Sequence, residues 1–109
     1  MTIGVYTIEL HLPMARSLKE KRQVFRRLKD RLRSRYNVAV AESADHADLW
    51  QRGGLTVVSV AQNRDALVRL FDAIFRETEN GIPGQIIERN CEFIEATDAQ
   101  LAPWFEDEP

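Results

Sequence analysis

The sequence feature that most restricts the fold of this chain is an unbroken helical pattern over residues 17–35. Ser17 and Glu20 have the spacing of a capping box, in which the serine hydroxyl accepts from the amide three residues on and the glutamate reaches back to the amide of Ser17. Neither Gly nor Pro occurs from there to Arg35. The apolar side chains recur at helical spacing and define one stripe: Leu18, Val24, Phe25, Leu28, Leu32 and Tyr36. The pattern therefore predicts an amphipathic helix that buries one side.

The same segment concentrates positive charge. Ten of the fifteen Lys and Arg residues lie between positions 16 and 35, against two acidic residues, a net of +8. The other five basic and fifteen acidic residues give −10, and the whole chain carries −2. One flank of the helix, beside the apolar stripe, holds five of the basic residues: Lys19, Arg22, Arg26, Lys29 and Arg33. Two interpretations stay open, namely a surface for an anionic partner and a solvated surface that pairs with acidic loops.

Three residues depart from the pattern around them. Lys21 falls within the apolar sector of the helix, and we expect its ammonium to extend outward to solvent. Trp50 lies in a polar loop, residues 43–54, where it covers an edge of the core or anchors a partner or second subunit. Cys91 is the one cysteine, so no internal disulfide forms, and its strand-like surroundings predict a small buried side chain.

Strand-like segments precede and follow this helix and a second one. The second helix begins after a cap at Asn63 or Asp65 and runs to about Glu79. Alternating or continuous apolar residues predict four strands, over 2–12, 38–42, 55–62 and 86–96. The order βαββαβ predicts an α+β, ferredoxin-like fold, with a four-stranded antiparallel sheet, two helices on one face, and the first and third strands central.

The domain is expected to span residues 1–96, followed by an acidic tail, residues 97–109, that docks in part through Trp104 and Phe105. One face of the sheet is left without helices. Ile3 and Val5 alternate with the core residues of the first strand and point to that face. An uncovered apolar face favours self-association, and with Trp50 these two residues are our interface candidates. A modest exposed patch on a monomer is the alternative.

Four short motifs carry a family resemblance: Glu9-Leu10-His11-Leu12-Pro13, Ser17-Leu18-Lys19-Glu20-Lys21-Arg22, Asn37-Val38 with Ala41-Glu42, and Asp48-Leu49-Trp50-Gln51. Through them the chain resembles the YlxP-like family of small bacterial proteins of unknown function, over most of residues 1–95. The resemblance implies a ferredoxin-like fold and no established enzyme activity. Members of the family are often encoded beside translation and ribosome-maturation genes, which by association implies an RNA or ribosomal partner.

Motifs of catalysis or metal binding do not stand out. The possible metal ligands His11, Asp45, His46 and Asp48 have no recognised spacing. No phosphate-binding glycine motif occurs, and residues 51–54 are typical of a turn or bulge. The strand at 55–62 lacks the aromatic residues on which RNA bases stack in many folds of this class. We therefore expect no catalytic residues, no metal and no cofactor.

The function expected from the sequence is that of a non-enzymatic accessory protein. Its partner is an RNA or ribosomal subunit, whose phosphates the basic flank contacts. The alternative is a homo-oligomeric interaction module whose basic helix pairs with acidic surfaces, and a small-ligand site at an oligomer interface is a third interpretation. The chain shows no membrane-spanning run and no secretory pattern, which favours a cytoplasmic protein without a membrane partner.

Overall fold

The computed structural model describes residues 1–44, 48–82 and 84–96. Its elements in chain order are β1 Thr2–His11, α1 Leu18–Arg35, β2 Ala39–Glu42, β3 Arg52–Ala61, α2 Arg64–Gly81 and β4 Gln85–Glu95. The strands form one antiparallel sheet in the order β2-β3-β1-β4, with β1 and β3 paired at its centre. This confirms the ferredoxin-like α+β fold and the central position of the first and third strands.

The register of β1 and β3 separates two faces of the sheet. Tyr6 lies opposite Val57 on the buried face, and Val5 lies opposite Val58 on the other. Along β1 the even-numbered residues are buried and the odd-numbered ones half-buried, because successive side chains of a strand point to opposite faces. Both helices pack on the buried face, where the largest fully buried side chains are Tyr6, Phe25, Phe71, Leu10, Leu12, Leu28, Leu32, Leu55, Leu67 and Ile74.

Both helices begin at a polar cap. The Ser17 hydroxyl accepts from the amide of Glu20 at 3.2 Å, as the capping box predicts. The Glu20 carboxylate accepts from the amide of Arg16 at 2.6 Å, one residue before the predicted partner Ser17. Helix α2 begins after Asn63, whose side chain accepts from the amide of Ala66 at 2.9 Å. Of the two predicted caps, the chain therefore uses Asn63.

Two expectations about the loop before β3 and about β4 were wrong. Strand β3 begins at Arg52, not at residue 55, because Gly53 already pairs with Leu10 of β1. Cys91 is exposed instead of buried. It lies opposite Tyr6, but on β4, an edge strand with a neighbour on one side alone.

The tail at 97–109 and its predicted docking lie outside the described residues.

The face of the sheet without helices has an apolar and a polar half. The apolar half surrounds Ile3, which pairs with Val60 and Ile94, each 52% exposed. The polar half lies toward His11, where Glu9 and Arg52 form an ion pair at 2.7 Å. Ile3 and Val5 thus lie on the predicted face, and their own side chains are half-buried.

Candidate nucleic-acid interface

The five basic residues of the predicted flank fall into two groups. Lys29 and Arg33 have partners on β2: the Lys29 Nζ is 2.9 Å from the Glu42 carboxylate, and the Arg33 guanidinium donates to the carbonyl of Val40 at 2.8 Å. The other three, nearer the start of α1, are exposed and have no ion pair or side-chain hydrogen bond to a described residue: Lys19, Arg22 and Arg26. We call these three the free basic group.

Arg33 covers the outer edge of the sheet. The amide of Ser43 donates to the carbonyl of Gly54 at 2.9 Å, so this residue faces inward to β3. Backbone polar groups alternate inward and outward along an antiparallel edge strand, which turns the carbonyl of Val40 outward. The guanidinium of Arg33 therefore satisfies a group that an edge strand would otherwise offer to another chain.

The other basic residues in or just before α1 lie against α2 or extend to solvent. Arg35 pairs with Glu77 of α2 at 2.7 Å. The guanidinium of Arg31 lies beside Gly81 at the end of α2. Arg16 and Arg27 are exposed. The unpaired charge is thus concentrated toward the N-terminal half of α1, while the C-terminal half is bound to β2 and α2.

Lys21 does not extend to solvent, contrary to our expectation. It is 7% exposed, and its Nζ donates to the backbone carbonyl of Leu49 at 2.7 Å. Burial lowers the pKa of the Lys21 ammonium, and the carboxylates of Glu42 and Asp48 offset part of that shift. The apolar sector of α1 therefore includes a buried cation that joins the helix to the loop before β3.

The loop before β3 is held at the end of β1 by backbone contacts. The amide of Leu12 donates to the carbonyl of Gln51 at 2.8 Å. The side chain of Gln51 donates to the carbonyl of Pro13 at 3.3 Å. With the Lys21 bond, residues 49 and 51 are thus fixed against both β1 and α1, and Trp50 lies between them.

Trp50 is exposed and lines a cleft. Its exposed fraction is 48%, and that of Leu49 is 44%. The cleft has a volume of about 340 Å³ and is lined by His11, Asp48, Leu49, Trp50, Gln51 and Arg52. Trp50 lies near His11, at the opposite end of β1 from Ile3 and Val5. The three predicted interface candidates are therefore not brought together.

A second, smaller cavity lies between α1 and the start of β3. It has a volume of about 160 Å³ and includes Arg22 of α1 and Gly53 and Gly54 of β3. A side chain at Gly53 would meet the ring of Phe25 and the stem of Lys21 within 2.9 Å, so α1 packs directly on the backbone there. This close approach places Arg22 near the residues that follow Trp50.

The chemistry offered by this end of the molecule is cation contact and hydrogen bonding. Among residues 1–44, 48–82 and 84–96, no three His, Cys, Asp or Glu side chains come together as a metal site. Partial desolvation of the exposed Cys91 raises the pKa of its thiol, and the nearby Arg89 guanidinium offsets part of that shift. Neither α1 nor α2 is long and apolar enough to cross a membrane.

Comparison with known proteins assigns the family. A family model described as "Protein of unknown function (DUF503)" matches residues 3–91. The chain belongs to this family. The DUF503 chain is also similar to the uncharacterized protein YlxP of Bacillus subtilis (strain 168), with 36% identity over 62 residues. The aligned residues make up 57% of this chain and 66% of YlxP, so the match spans just under two thirds of the relative's length. This confirms the resemblance seen in the sequence motifs.

Among solved structures, the DUF503 chain is similar to the de novo designed protein Ferredog-Diesel. The two share 15% identity over 84% of each chain, with a TM-score of 0.46.

Proposed function

We propose that this protein is a non-enzymatic accessory module that binds RNA, free or within a ribosomal subunit, through phosphate contacts of the free basic group. The observation that carries the proposal is the division of the basic flank. Lys29 and Arg33 are paired within the chain, whereas Lys19, Arg22 and Arg26 are exposed and without described partners. Structural pairing therefore accounts for two of the five charges and leaves three for an external anion.

The geometry favours contact with a phosphate backbone. Lys19, Arg22 and Arg26 are three and four positions apart, so they lie on one side of the helix along about 10 Å of its axis. Clustered like charges on a helix repel one another, and phosphates relieve that repulsion. The remainder of the chain is acidic, so a polyanion is favoured at this end and repelled elsewhere.

The test compares two double variants that remove the same charge from the two groups. Arg22→Gln with Arg26→Gln reduces the free basic group, and Lys29→Gln with Arg33→Gln reduces the paired one. Three phosphate contacts with single-stranded RNA predict a slope of log affinity against log salt of about −2, and the first variant is expected to reduce it to about −0.7. The second variant is expected to keep the slope within about 0.5 of the unmodified protein.

The two variants also separate binding from folding. The first is expected to unfold at the same denaturant concentration, since Gln keeps helix propensity and no described contact is lost. Equal loss of RNA affinity in both variants would show that the effect is one of overall charge, and would contradict the proposal. So would RNA binding that does not change with salt.

A second candidate function is homo-oligomerisation through the apolar half of the open sheet face. The exposure of Val60 and Ile94 beside Ile3 favours it. Val5→Glu is expected to shift the sedimentation coefficient toward that of a monomer at micromolar concentration. Thr7→Glu, two residues along the same face in the polar half, is the matched control. A monomer throughout the accessible concentration range would exclude this interface.

A further inference from the structure

Trp50 is an exposed aromatic side chain held at a defined place. Nearly half of it is accessible, and it stacks on no aromatic ring of the described chain. The residues on both sides are anchored, Leu49 through its carbonyl to Lys21 and Gln51 to Leu12 and Pro13. Because the loop is already anchored, Trp50 loses less conformational entropy when a ligand binds, and binding is correspondingly more favourable.

The anchor of Trp50 lies in the first turn of α1, beside two members of the free basic group. Lys21, which bonds to Leu49, lies between Lys19 and Arg22 in the sequence. Arg22 also lines a cavity with Gly53, three residues after Trp50. The start of α1 therefore presents cations on its outer flank and holds an aromatic ring beside it. A positively charged surface that contacts the phosphates and an aromatic side chain on which a base stacks are the two features with which proteins bind single-stranded nucleic acid.

We propose that the cleft beside Trp50 receives an unpaired base of an RNA strand whose phosphates lie along Lys19, Arg22 and Arg26. This rests on the proposed function and makes it more specific, because a base inside a continuous duplex is stacked and paired and does not reach the cleft. The protein therefore selects single-stranded or looped RNA over duplex.

The rim of the cleft supplies hydrogen-bonding groups for the edge of a base. The Asp48 carboxylate accepts from the exocyclic amino groups that adenine, cytosine and guanine carry and uracil lacks. Arg52 also lines the cleft, and its guanidinium is held by the Glu9 carboxylate at 2.7 Å. The carboxylate would repel a phosphate, which favours a base and not the backbone at this point. Binding of adenine-containing strands is therefore expected to exceed that of uracil strands.

The experiment measures the affinity of a single-stranded adenine oligonucleotide and of an RNA duplex of equal length for the full chain. Trp50→Ala is expected to reduce single-strand affinity about tenfold and duplex affinity less than twofold, because stacking on one aromatic ring contributes about this much per base. Trp50→Phe keeps an aromatic face and is expected to lose less than threefold. The salt slope stays unchanged in both, since stacking releases no counterions. Trp104→Phe, at the second tryptophan of the chain, is the matched control.

The outcomes separate this inference from the function on which it rests. If Trp50→Ala binds single strands as the unmodified protein does, or weakens single strand and duplex equally, the base-binding cleft is overturned. The loss of salt slope in Arg22→Gln with Arg26→Gln would then still support phosphate binding. If neither set of variants changes affinity, both proposals fail. If Trp50→Ala reduces folding, Trp50→Phe is compared with Trp50→Leu, which is apolar but has no ring. Weaker single-strand binding by Trp50→Leu alone would support the cleft, and equal binding by the two variants would overturn it.

Discussion

The ammonium of Lys21 donates to the backbone carbonyl of Leu49 at 2.7 Å, across 28 residues of chain. The bond joins the helix that carries the free basic group to the loop that carries Trp50. Lys21 is 7% exposed, and the stem of its side chain lies close to Gly53. The position of Trp50 relative to α1 therefore depends on a buried charge and not on apolar packing alone.

Lys21→Met is expected to loosen the loop while changing the free energy of unfolding by less than about 1 kcal/mol. Methionine keeps the apolar stem, and the lost hydrogen bond is offset by removal of a buried charge. Faster exchange of the Leu12 amide, which donates to the Gln51 carbonyl, and stronger acrylamide quenching of Trp50 in a Trp104→Phe background would record the loosening. Lys19→Met, an exposed neighbour, is the control. An unchanged exchange rate would contradict the anchoring role.

Gly53→Ala is expected to destabilise the protein by about 1–3 kcal/mol. An added methyl group would lie 2.8 Å from the Phe25 ring and 2.9 Å from the stem of Lys21, which forces α1 away from β3. Gly81→Ala is the control, because its methyl group would meet the flexible end of Arg31. At this helical position alanine is expected to stabilise by about 0.4–1 kcal/mol. Urea unfolding of both variants checks the difference in sign.

Tyr6→Phe is expected to raise stability selectively at alkaline pH. Burial raises the pKa of Tyr6 from 10.0 to about 12, and the nearby Arg89 guanidinium offsets part of this shift. Below pH 10 the hydroxyl is protonated in both states. Above pH 10 it ionises first in the unfolded chain, so the unmodified protein loses about 1.4 kcal/mol of stability by pH 11, and the phenylalanine variant does not.

At pH 7 the same substitution is expected to be neutral or stabilising by up to about 1 kcal/mol. The Tyr6 hydroxyl is buried and forms no hydrogen bond of good geometry to a described residue, so its removal leaves no described partner unsatisfied. Urea unfolding at pH 7, 9.5 and 11 measures the difference between the two proteins. A difference that does not grow between pH 9.5 and 11 would show that Tyr6 ionises as freely in the folded state.

Arg33→Ala is expected to destabilise the protein by about 1 kcal/mol, since the outward carbonyl of Val40 loses its charged donor. Arg26→Ala removes the same side chain from the same flank, but from a position without a described partner. It is expected to change stability by less than about 0.5 kcal/mol. Thermal unfolding of the pair at equal salt measures the contrast. Equal effects would show that the two groups of the flank do not differ.

The features set by local periodicity were predictable from the sequence. Alternation along β1 assigned Tyr6 to the core and Val5 to the open face, because a strand has a period of two. The spacing of Phe25 and Leu28 assigned the buried side of α1. These patterns depend on neighbours within a few residues, so one sequence is sufficient to identify them.

The features that depend on distant partners were not predictable. The sequence placed Lys29 on the basic flank and Lys21 in the apolar sector, but it identified neither partner, which is Glu42 for Lys29 and a backbone carbonyl of the loop before β3 for Lys21. The position of Lys21 within the apolar sector indicated that its ammonium needed a buried acceptor. It did not show that the acceptor was the carbonyl of Leu49. Cys91 was misassigned because alternation shows which face a residue occupies but not whether its strand lies at the edge.

The two halves of the open sheet face lie toward opposite ends of β1, whose ten residues extend about 30 Å. An occupant of the apolar half near Ile3 therefore leaves the cleft beside Trp50 accessible. Two copies joined at their apolar halves would carry two such clefts. A long RNA strand that reached both would be retained by avidity, with a local concentration set by the distance between the clefts and not by the affinity of either.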